Sequence, residues 1–284
     1  MYFWIGNSPA EMQYLYKFEA MTTPCEVLLF CDDKKRADET AQAVLKEAKR
    51  LEKKYNYFAA DSYLSALNRR ERDDLDPETQ NLLQRAVQYY RLTAQVFDIT
   101  LATIKDLYRA QTSLETLHEA KERLVPFVGC EHFQIKKRRL SFDNPYTKID
   151  LGGFVKEYAV DQAVKIIQKA KTASALVNFG GDIYALGKKP DGQKFRVGIK
   201  DPKNPKEFIR FEEIENEALT TSASYERYVT IEGASFSHIL SKEEQTQTPS
   251  SVTVISKNCV ESGVFSTALM VNPDIVTKNR VIIL

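Results

Sequence analysis

The sequence lacks the features that define several large classes of proteins. It has no run of about 18 apolar residues, so no segment is predicted to span a bilayer. Its 4 cysteines have neither CxxC spacing nor nearby histidine partners, which argues against a zinc site and makes free thiols the expectation. Basic and acidic residues number 40 and 39, so the net charge of +1 provides no overall field to hold a nucleic acid or an anionic membrane.

Signals for targeting and for nucleic-acid binding are also weak. The start of the chain lacks the basic and apolar regions of a secretory signal, so we expect a cytoplasmic protein, or a periplasmic one if a leader peptide precedes this sequence. The basic run at 136–139 is followed by Leu140, Phe142 and Asn144-Pro145. This pattern favours a solvated hairpin over a nucleic-acid patch.

The apolar pattern indicates a mixed fold. With 43% hydrophobic residues, the 284-residue chain can bury the core of one large domain or of two closely packed lobes. Helices are predicted at about 37–57, from Asp76-Pro77 to about 90, and at 154–170. Extended segments are predicted at 25–30, 148–151, 175–179, 183–186, 195–199, 227–231 and 252–255. Helices dominate the first half and strands the second, which predicts an α+β fold.

A glycine turn carries the first chemical signal. Asp150, Gly152, Gly153 and Lys156 lie where a predicted strand gives way to a helix. Such a turn lets a ligand approach the backbone, and the free N–H groups of the following helix suit phosphate oxygens. Lys156 follows Gly153 by one helical turn and can face the same ligand. An ordinary turn with a surface lysine remains the alternative.

Further motifs follow in order along the chain. They are Met21-Thr-Thr23, Phe97-Asp-Ile-Thr100, Asn178-Phe-Gly-Gly-Asp182, Thr220-Thr-Ser-Ala-Ser-Tyr-Glu-Arg227, Ser237-His-Ile239 and Ser266-Thr-Ala268. With the glycine turn, this ordered set resembles the ApbE family of FAD:protein FMN transferases. That family carries Met-Gly-Thr, Phe-Asp-x-Thr, Asp-Leu-Gly-Gly-x-x-Lys-Gly, Asn-x-Gly-Gly-Asp, Thr-Ser-Gly-x-Tyr-x-Arg, Ser-His-Ile and Asp-x-x-x-Thr-Ala. The resemblance covers about Met21 to the end of the sequence.

The resemblance implies a fold and an activity. The fold would be a two-lobed α+β domain related to the T-fold, with FAD in a cleft between the lobes, at residues 21–284 after an N-terminal extension at 1–20. Members move FMN from FAD to a threonine or serine hydroxyl of a partner flavoprotein and release AMP, with Mg²⁺. Some members hydrolyse FAD instead. The implied partners are therefore FAD and a flavin-acceptor redox protein.

The resemblance also implies site residues by position. The FAD site would include Met21, Phe58, Phe97, Asp98, Asp150, Lys156 and Ile239. The metal ligands would be the Gly153 carbonyl and the Thr267 hydroxyl. Phe58 and Phe97 could stack on a flavin or adenine ring, or could be core residues. His238 is a candidate proton relay, although no second titrating group is fixed beside it.

Among the departures from the family pattern, the first concerns the metal and the second lies in the glycine turn. Gly263 stands where the family has a metal-binding Asp, and Glu157 stands where the family has the glycine after the lysine. Glu261 lies two positions before Gly263, and in an extended segment it would point the same way and partly replace the missing carboxylate. The change Gly263→Asp is expected to restore the ligand and tighten Mg²⁺, provided that φ at this position is not positive.

Three functions follow from these observations. The first is an active FMN transferase. The second is a flavin-binding protein or FAD pyrophosphatase whose transferase activity is weakened or lost. The third is an inactive scaffold, which the retained polar residues Asp98, Asp150, Lys156 and Thr267 argue against.

Overall fold

The computed structural model describes residues 12–110, 113–204, 206–223, 228–237, 242 and 249–284. Its strands are β1 (Met12–Ala20), β2 (Thr23–Cys31), β3 (Phe133–Lys136), β4 (Arg139–Phe142), β5 (Ser174–Phe179), β6 (Asp182–Leu186), β7 (Phe195–Lys200), β8 (Phe208–Ile214), β9 (Glu217–Ala223), β10 (Tyr228–Ile231), β11 (Ala234–Ser237), β12 (Ser251–Ser256) and β13 (Arg280–Ile283). Its α-helices are α1 (Lys34–Tyr55), α2 (Tyr63–Asn68), α3 (Pro77–Leu92), α4 (Ala102–Lys105), α5 (Leu107–Ala110), α6 (Leu114–Leu124), α7 (Gly152–Lys169) and α8 (Cys259–Val271). Short 3-10 turns lie at Ile99–Leu101, Val125–Phe127 and Cys130–His132.

The main sheet is antiparallel and confirms the α+β prediction. Among the described residues it has seven strands in the order β1-β2-β5-β6-β9-β12-β13, and every neighbouring pair is antiparallel. Residues 12–20, expected as an extension, form its edge strand β1. Strand β2 has a core on each side. Val27 and Leu29 join the core that includes α1 and α7, whereas Leu28 joins a second core with the β7–β8 hairpin.

Local sequence signals explain where the predicted helices begin. Asp33 caps α1, its carboxylate accepting from the backbone N–H of Lys35 at 2.9 Å. Asp76 caps α3 through the N–H of Thr79 at 3.0 Å, with Pro77 in the first turn. Side chains at helix starts satisfy N–H groups that have no partner within the helix. Both of these helices are confirmed, with boundaries shifted by at most three residues.

The basic run at 136–139 forms the predicted hairpin. Lys136 pairs with Arg139 across β3 and β4, and the two residues between them have positive φ angles. Arg139 forms an ion pair with Asp73 at 2.6 Å. The basic side chains therefore belong to a structural hairpin, as expected. The four cysteines are buried free thiols, again as expected. None of the helices in the described ranges is both long and apolar enough to cross a membrane.

The strand predicted at 148–151 is absent. Its backbone is held by groups from other elements, because Ile149 exchanges hydrogen bonds with the side-chain amide of Asn68 at 2.8 Å in both directions. The N–H of Asp150 donates to the carbonyl of Ile99 at 2.9 Å. A side-chain amide can satisfy a backbone donor and acceptor as a neighbouring strand would. The segment leads into α7 without forming a ladder.

The turn between β1 and β2 predicts a stabilising substitution. Met21 and Thr22 have φ angles of 53° and 58°, the conformation of a two-residue hairpin turn that favours glycine. We expect Thr22→Gly to raise stability by about 0.5–1 kcal/mol, because the left-handed strain relieved exceeds the entropy that glycine loses on folding. The gain corresponds to about 1–4 °C in melting temperature, measurable by calorimetry. Thr22→Ala retains the Cβ and should show no such gain; an equal gain for both variants would contradict the strain argument.

Candidate functional site

The start of α7 is an open glycine turn. The Asp150 carboxylate accepts from the N–H of Gly152 at 2.8 Å, whereas Leu151, the capping residue, contributes no side-chain bond. Gly153 departs from helical geometry, with φ −87° and ψ 18°, so regular winding begins at Phe154. Apart from its chain neighbours and its own helix backbone, no atom of the described residues lies within 4 Å of the point where a Cβ on Gly153 would stand. A ligand can therefore reach this backbone directly.

A lysine that the sequence did not single out joins Asp150 to an aromatic pair. The ammonium of Lys105 forms an ion pair with the second Asp150 oxygen. It also lies over the rings of Tyr57 and Phe58, at 5.2 and 4.8 Å from their centroids. Phe58 is 54% exposed, so its ring is accessible. The structure thus places the predicted residues Asp150 and Phe58 together, with Lys105 between them.

Phe97 has a different environment from Phe58. Its ring is buried and lies 5.9 Å from that of Phe154 in the core. Stacking on a flavin or adenine needs an accessible ring, a condition that Phe58 meets and Phe97 does not. Phe97 instead packs the Asp98 segment against α7.

Asp98 is a buried carboxylate beside that packing. One oxygen accepts from the N–H and hydroxyl of Thr100 at 2.8 and 2.6 Å. The ammonium of Lys242 lies 3.8 Å from the other oxygen. Burial raises the pKa of Asp98, and the Thr100 hydrogen bonds and Lys242 oppose the rise. The Asp98 turn adjoins the glycine turn, since Ile99 accepts the Asp150 N–H.

Lys156 and Asp182 form the central ion pair. Their charged atoms are 2.7 Å apart, and their side chains are 28% and 4% exposed. Burial alone would lower the pKa of Lys156, but the charges of Asp182 and Glu157 raise it above its ordinary value. The ammonium therefore stays protonated. Asp182 is positioned by the Gly180-Gly181 turn, both of whose glycines have positive φ.

Hydroxyl groups gather where α8 meets β9. The Ser222 hydroxyl lies 2.9 Å from that of Ser266 and 3.3 Å from that of Thr267. Ser262 contacts Thr220 in the same way at 2.9 Å. The predicted metal ligand Thr267 is therefore a half-buried hydroxyl on α8, among other oxygen atoms.

The prediction of an extended segment at Glu261 is wrong. Residues 259–271 form α8, and Asn258 with Glu261 forms a reciprocal cap at its start. The Glu261 carboxylate also accepts from Asn279 at 3.2 Å. Positions two apart on a helix lie on nearly opposite sides, so Glu261 does not share a face with Gly263. Glu261 cannot replace the missing carboxylate in the way expected.

Glu157, next to Lys156, is a buried residue that sequence reasoning did not select for the site. It is 5% exposed, and its Oε2 atom has no hydrogen-bond partner among the described residues. Burial raises the pKa of Glu157, the nearby Asp182 adds to the rise, and Lys156 opposes it. A Cβ on Gly263 would stand 2.5 Å from Glu157 Cγ, so the glutamate side chain fills the space beside the glycine. The signal in the sequence was a pair of departures at 157 and 263.

The remaining predicted residues are only partly placed. Met21 lies in the β1–β2 turn, where its N–H donates to Glu52 at 2.7 Å. Its contact with FAD stays a prediction. His238 and Ile239 lie outside the described residues. Within the described ranges, no three His, Cys, Asp or Glu side chains are close enough together to hold a metal ion.

The fold and this site define an α+β protein with an open, phosphate-compatible helix start between a lysine–aspartate pair and an exposed aromatic ring. The sequence profile of the ApbE family matches residues 21–278. The chain belongs to the ApbE family, which confirms the resemblance seen in the motifs.

Curated relatives and solved structures agree with this assignment. Two relatives are named FAD:protein FMN transferase. That of Vibrio cholerae is 27% identical over 228 residues, 75% of this chain and 67% of that protein. That of Chlamydia pneumoniae is 28% identical over 229 residues, which are 76% of this chain and 71% of that protein.

Among solved structures, the ApbE protein of Thermotoga maritima is 27% identical, with a TM-score of 0.81 over 92% of this chain and 87% of that one. The flavin transferase ApbE of Vibrio cholerae is 21% identical and supports the fold alone. Its TM-score is 0.82 over 96% of this chain and 94% of that one.

Proposed function

We propose that this protein transfers FMN from FAD to a threonine or serine hydroxyl of a partner flavoprotein and releases AMP. Family membership supports this function, as do relatives named FAD:protein FMN transferase. The observation that carries it is the charged Lys156, held by Asp182 one helical turn from the open backbone of Gly153. A cation and free backbone donors at one helix start suit a pyrophosphate.

The reaction needs stabilisation of a leaving phosphate. The acceptor hydroxyl oxygen forms a bond to the FMN phosphorus, the bond from that phosphorus to the bridging oxygen breaks, and AMP leaves with that oxygen. Negative charge develops on the bridging oxygen, and the Lys156 ammonium stabilises it. The N–H group of Gly153 orients the phosphates, whereas that of Gly152 already donates to Asp150. Release of the hydroxyl proton requires a base, and His238 stays the candidate.

Exposed aromatic surface supports the binding of a ring system. Phe58 is 54% exposed and lies beside Lys105 and Tyr57. We assign to it the stacking of the adenine or isoalloxazine ring of FAD. Lys105, already paired with Asp150, holds that platform next to the glycine turn.

The donor atoms at this site fit Mg²⁺. The Gly153 carbonyl and the Thr267 hydroxyl are hard oxygen donors, and a magnesium site normally adds phosphate oxygens and water. A buried carboxylate oxygen, Glu157 Oε2, has no hydrogen-bond partner among the described residues and lies one helical turn after Gly153, which supports this assignment. When bound, Mg²⁺ would neutralise charge on the pyrophosphate.

The same site could use water in place of a protein hydroxyl, which would make it an FAD pyrophosphatase. The departures from the family pattern at 157 and 263 favour this second candidate, because they alter the metal end of the site and leave Lys156 in place.

One assay separates these functions. The protein is incubated with FAD, Mg²⁺ and a redox protein that carries the threonine modified by a transferase relative, and AMP and covalent flavin are both measured. We expect AMP release together with a mass gain on the acceptor equal to FMN less water. AMP without modified acceptor would identify a pyrophosphatase. Bound FAD without AMP would identify a binding protein. Absence of FAD binding would reject the transferase, the pyrophosphatase and the flavin-binding protein.

A further inference from the structure

Glu157 is a buried carboxylate whose hydrogen-bonding capacity is not fully used within the described structure. It is nine-tenths or more buried, yet Oε2 has no hydrogen-bond partner among the described residues. Its side chain points at Gly263, with Cγ, Cδ and Oε1 at 2.5, 3.0 and 3.0 Å from the point where a Cβ of residue 263 would stand. Leaving a buried polar atom unpaired is costly, and such atoms call for a specific explanation.

The register of α7 and α8 places this carboxylate beside the proposed metal ligands. Asp161 of α7 accepts from the N–H groups of Cys259 and Val260 at 2.7 and 3.3 Å. One turn earlier in α7, Glu157 meets Gly263, which is one turn later in α8. The two helices therefore run antiparallel.

The next step of this register brings in Gly153 and Thr267. Gly153 precedes Glu157 by four residues and Thr267 follows Gly263 by four, and helix positions four apart share a face. The face of α7 with Gly153 and Glu157 thus packs against the face of α8 with Gly263 and Thr267.

The two family departures at this contact are complementary. This chain has Glu157 where the resemblance implies a glycine, and Gly263 where it implies an Asp. Because Glu157 occupies the space of a side chain at 263, the two carboxylates cannot both fit without movement. One carboxylate is therefore retained at the contact, but it comes from the opposite helix.

The geometry points to Glu157 as the carboxylate ligand of the divalent cation that accompanies the FAD pyrophosphate, in place of an aspartate at 263. This inference rests on the proposed binding of FAD and Mg²⁺ at the glycine turn. A carboxylate oxygen completes a set of hard donors with the Gly153 carbonyl and the Thr267 hydroxyl. The alternative is that Glu157 only fills the space beside Gly263.

The test compares FAD affinity with and without the cation. FAD is titrated into the parent protein and into Glu157→Gln, by flavin fluorescence, in Mg²⁺ and in a chelator. Glutamine keeps the shape and the contact with Gly263 but removes the charge. We expect Mg²⁺ to tighten FAD binding in the parent and this enhancement to fall by roughly 10–100-fold in Glu157→Gln, with the affinity in chelator little changed. Binding of Mn²⁺ in the presence of FAD, followed by electron paramagnetic resonance, should fall by a similar factor.

Two further variants make the test specific. Glu261→Gln removes the carboxylate of the α8 cap and should leave the Mg²⁺ enhancement intact. The exchange Glu157→Gly with Gly263→Asp moves the carboxylate to the other helix and should restore the enhancement that Glu157→Gln loses. It also keeps the test valid if Glu157→Gln does not fold.

The outcomes separate the inference from the proposed function. A Mg²⁺ enhancement that is equal in the parent and in Glu157→Gln, or that is absent from a parent that binds FAD, overturns the inference alone. A parent that binds no FAD in Mg²⁺ or in chelator overturns the proposed function and the inference with it.

Discussion

Lys156→Met is expected to reduce AMP release from FAD by about 100-fold or more, the cost of removing one preorganised group that stabilises developing charge. It should also lower the free energy of unfolding by about 3 kcal/mol, because Asp182, only 4% exposed, loses its partner. Rates of AMP release and urea unfolding curves measure the two effects.

Two controls separate catalysis from stability in this variant. Adding Asp182→Asn removes the unpaired carboxylate and should recover much of the lost stability while activity stays low. Lys165→Met changes an exposed lysine of the same helix and should alter stability by less than about 0.5 kcal/mol. AMP release by Lys156→Met at the parent rate would exclude Lys156 from the reaction.

Gly263→Asp should destabilise the protein, although the sequence alone predicted that it would restore a metal ligand. The backbone at Gly263 is helical and its φ is not positive, so the condition set for that substitution is met. The obstacle is Glu157, whose Cγ would lie 2.5 Å from the new Cβ. Crowding in a packed core costs about 1–3 kcal/mol, and a second buried carboxylate adds like-charge repulsion. Thermal unfolding of Gly263→Asp should show a loss of stability larger than the crowding cost alone.

A double-mutant cycle identifies the cause. Gly263→Ala adds the Cβ without a charge, so its stability should fall only by the cost of crowding against Glu157. Combining Gly263→Asp with Glu157→Ala should recover most of the loss, because the obstructing side chain is removed. If Gly263→Asp is equally destabilising in both backgrounds, the cause lies elsewhere than in Glu157.

Features decided by neighbouring residues could be predicted from the sequence. Asp76 and Pro77 signal the start of α3 through local geometry, and the basic hairpin at 136–139 has its turn between its two strands. The glycine turn before Lys156 was also visible, because its chemistry depends on residues a few positions apart. The α+β class followed from such local patterns.

Features decided by distant residues could not. The segment 148–151 has the composition of a strand, but Asn68, 81 residues away, takes the place of a neighbouring strand. The helix around Glu261 was misjudged because a run of apolar residues suits a buried strand and a buried helix equally. Its cap, Asn258 with Glu261, was the available signal.

Glu157 shows the same limit within the site. Both departures, at 157 and at 263, were visible in the sequence, but nothing local indicated that residues 106 positions apart touch. Because α7 packs antiparallel to α8, the carboxylate that is missing at 263 and the one that is present at 157 lie at the same contact. The pairing of Lys156 with Asp182 needed the β5–β6 turn for the same reason.

The cap that Asp161 provides to α8 has a consequence for biosynthesis. The Asp161 carboxylate accepts from the backbone N–H of Cys259, which is synthesised 98 residues later, so the two helices cannot be joined by this bond until then. A nascent chain exposes α7 and its lysine long before α8 leaves the ribosome, and contacts so distant in sequence form late. A ligand that needs both helices can therefore bind only after α8 has been synthesised and has packed against α7. Binding of that ligand then stabilises the whole protein by mass action.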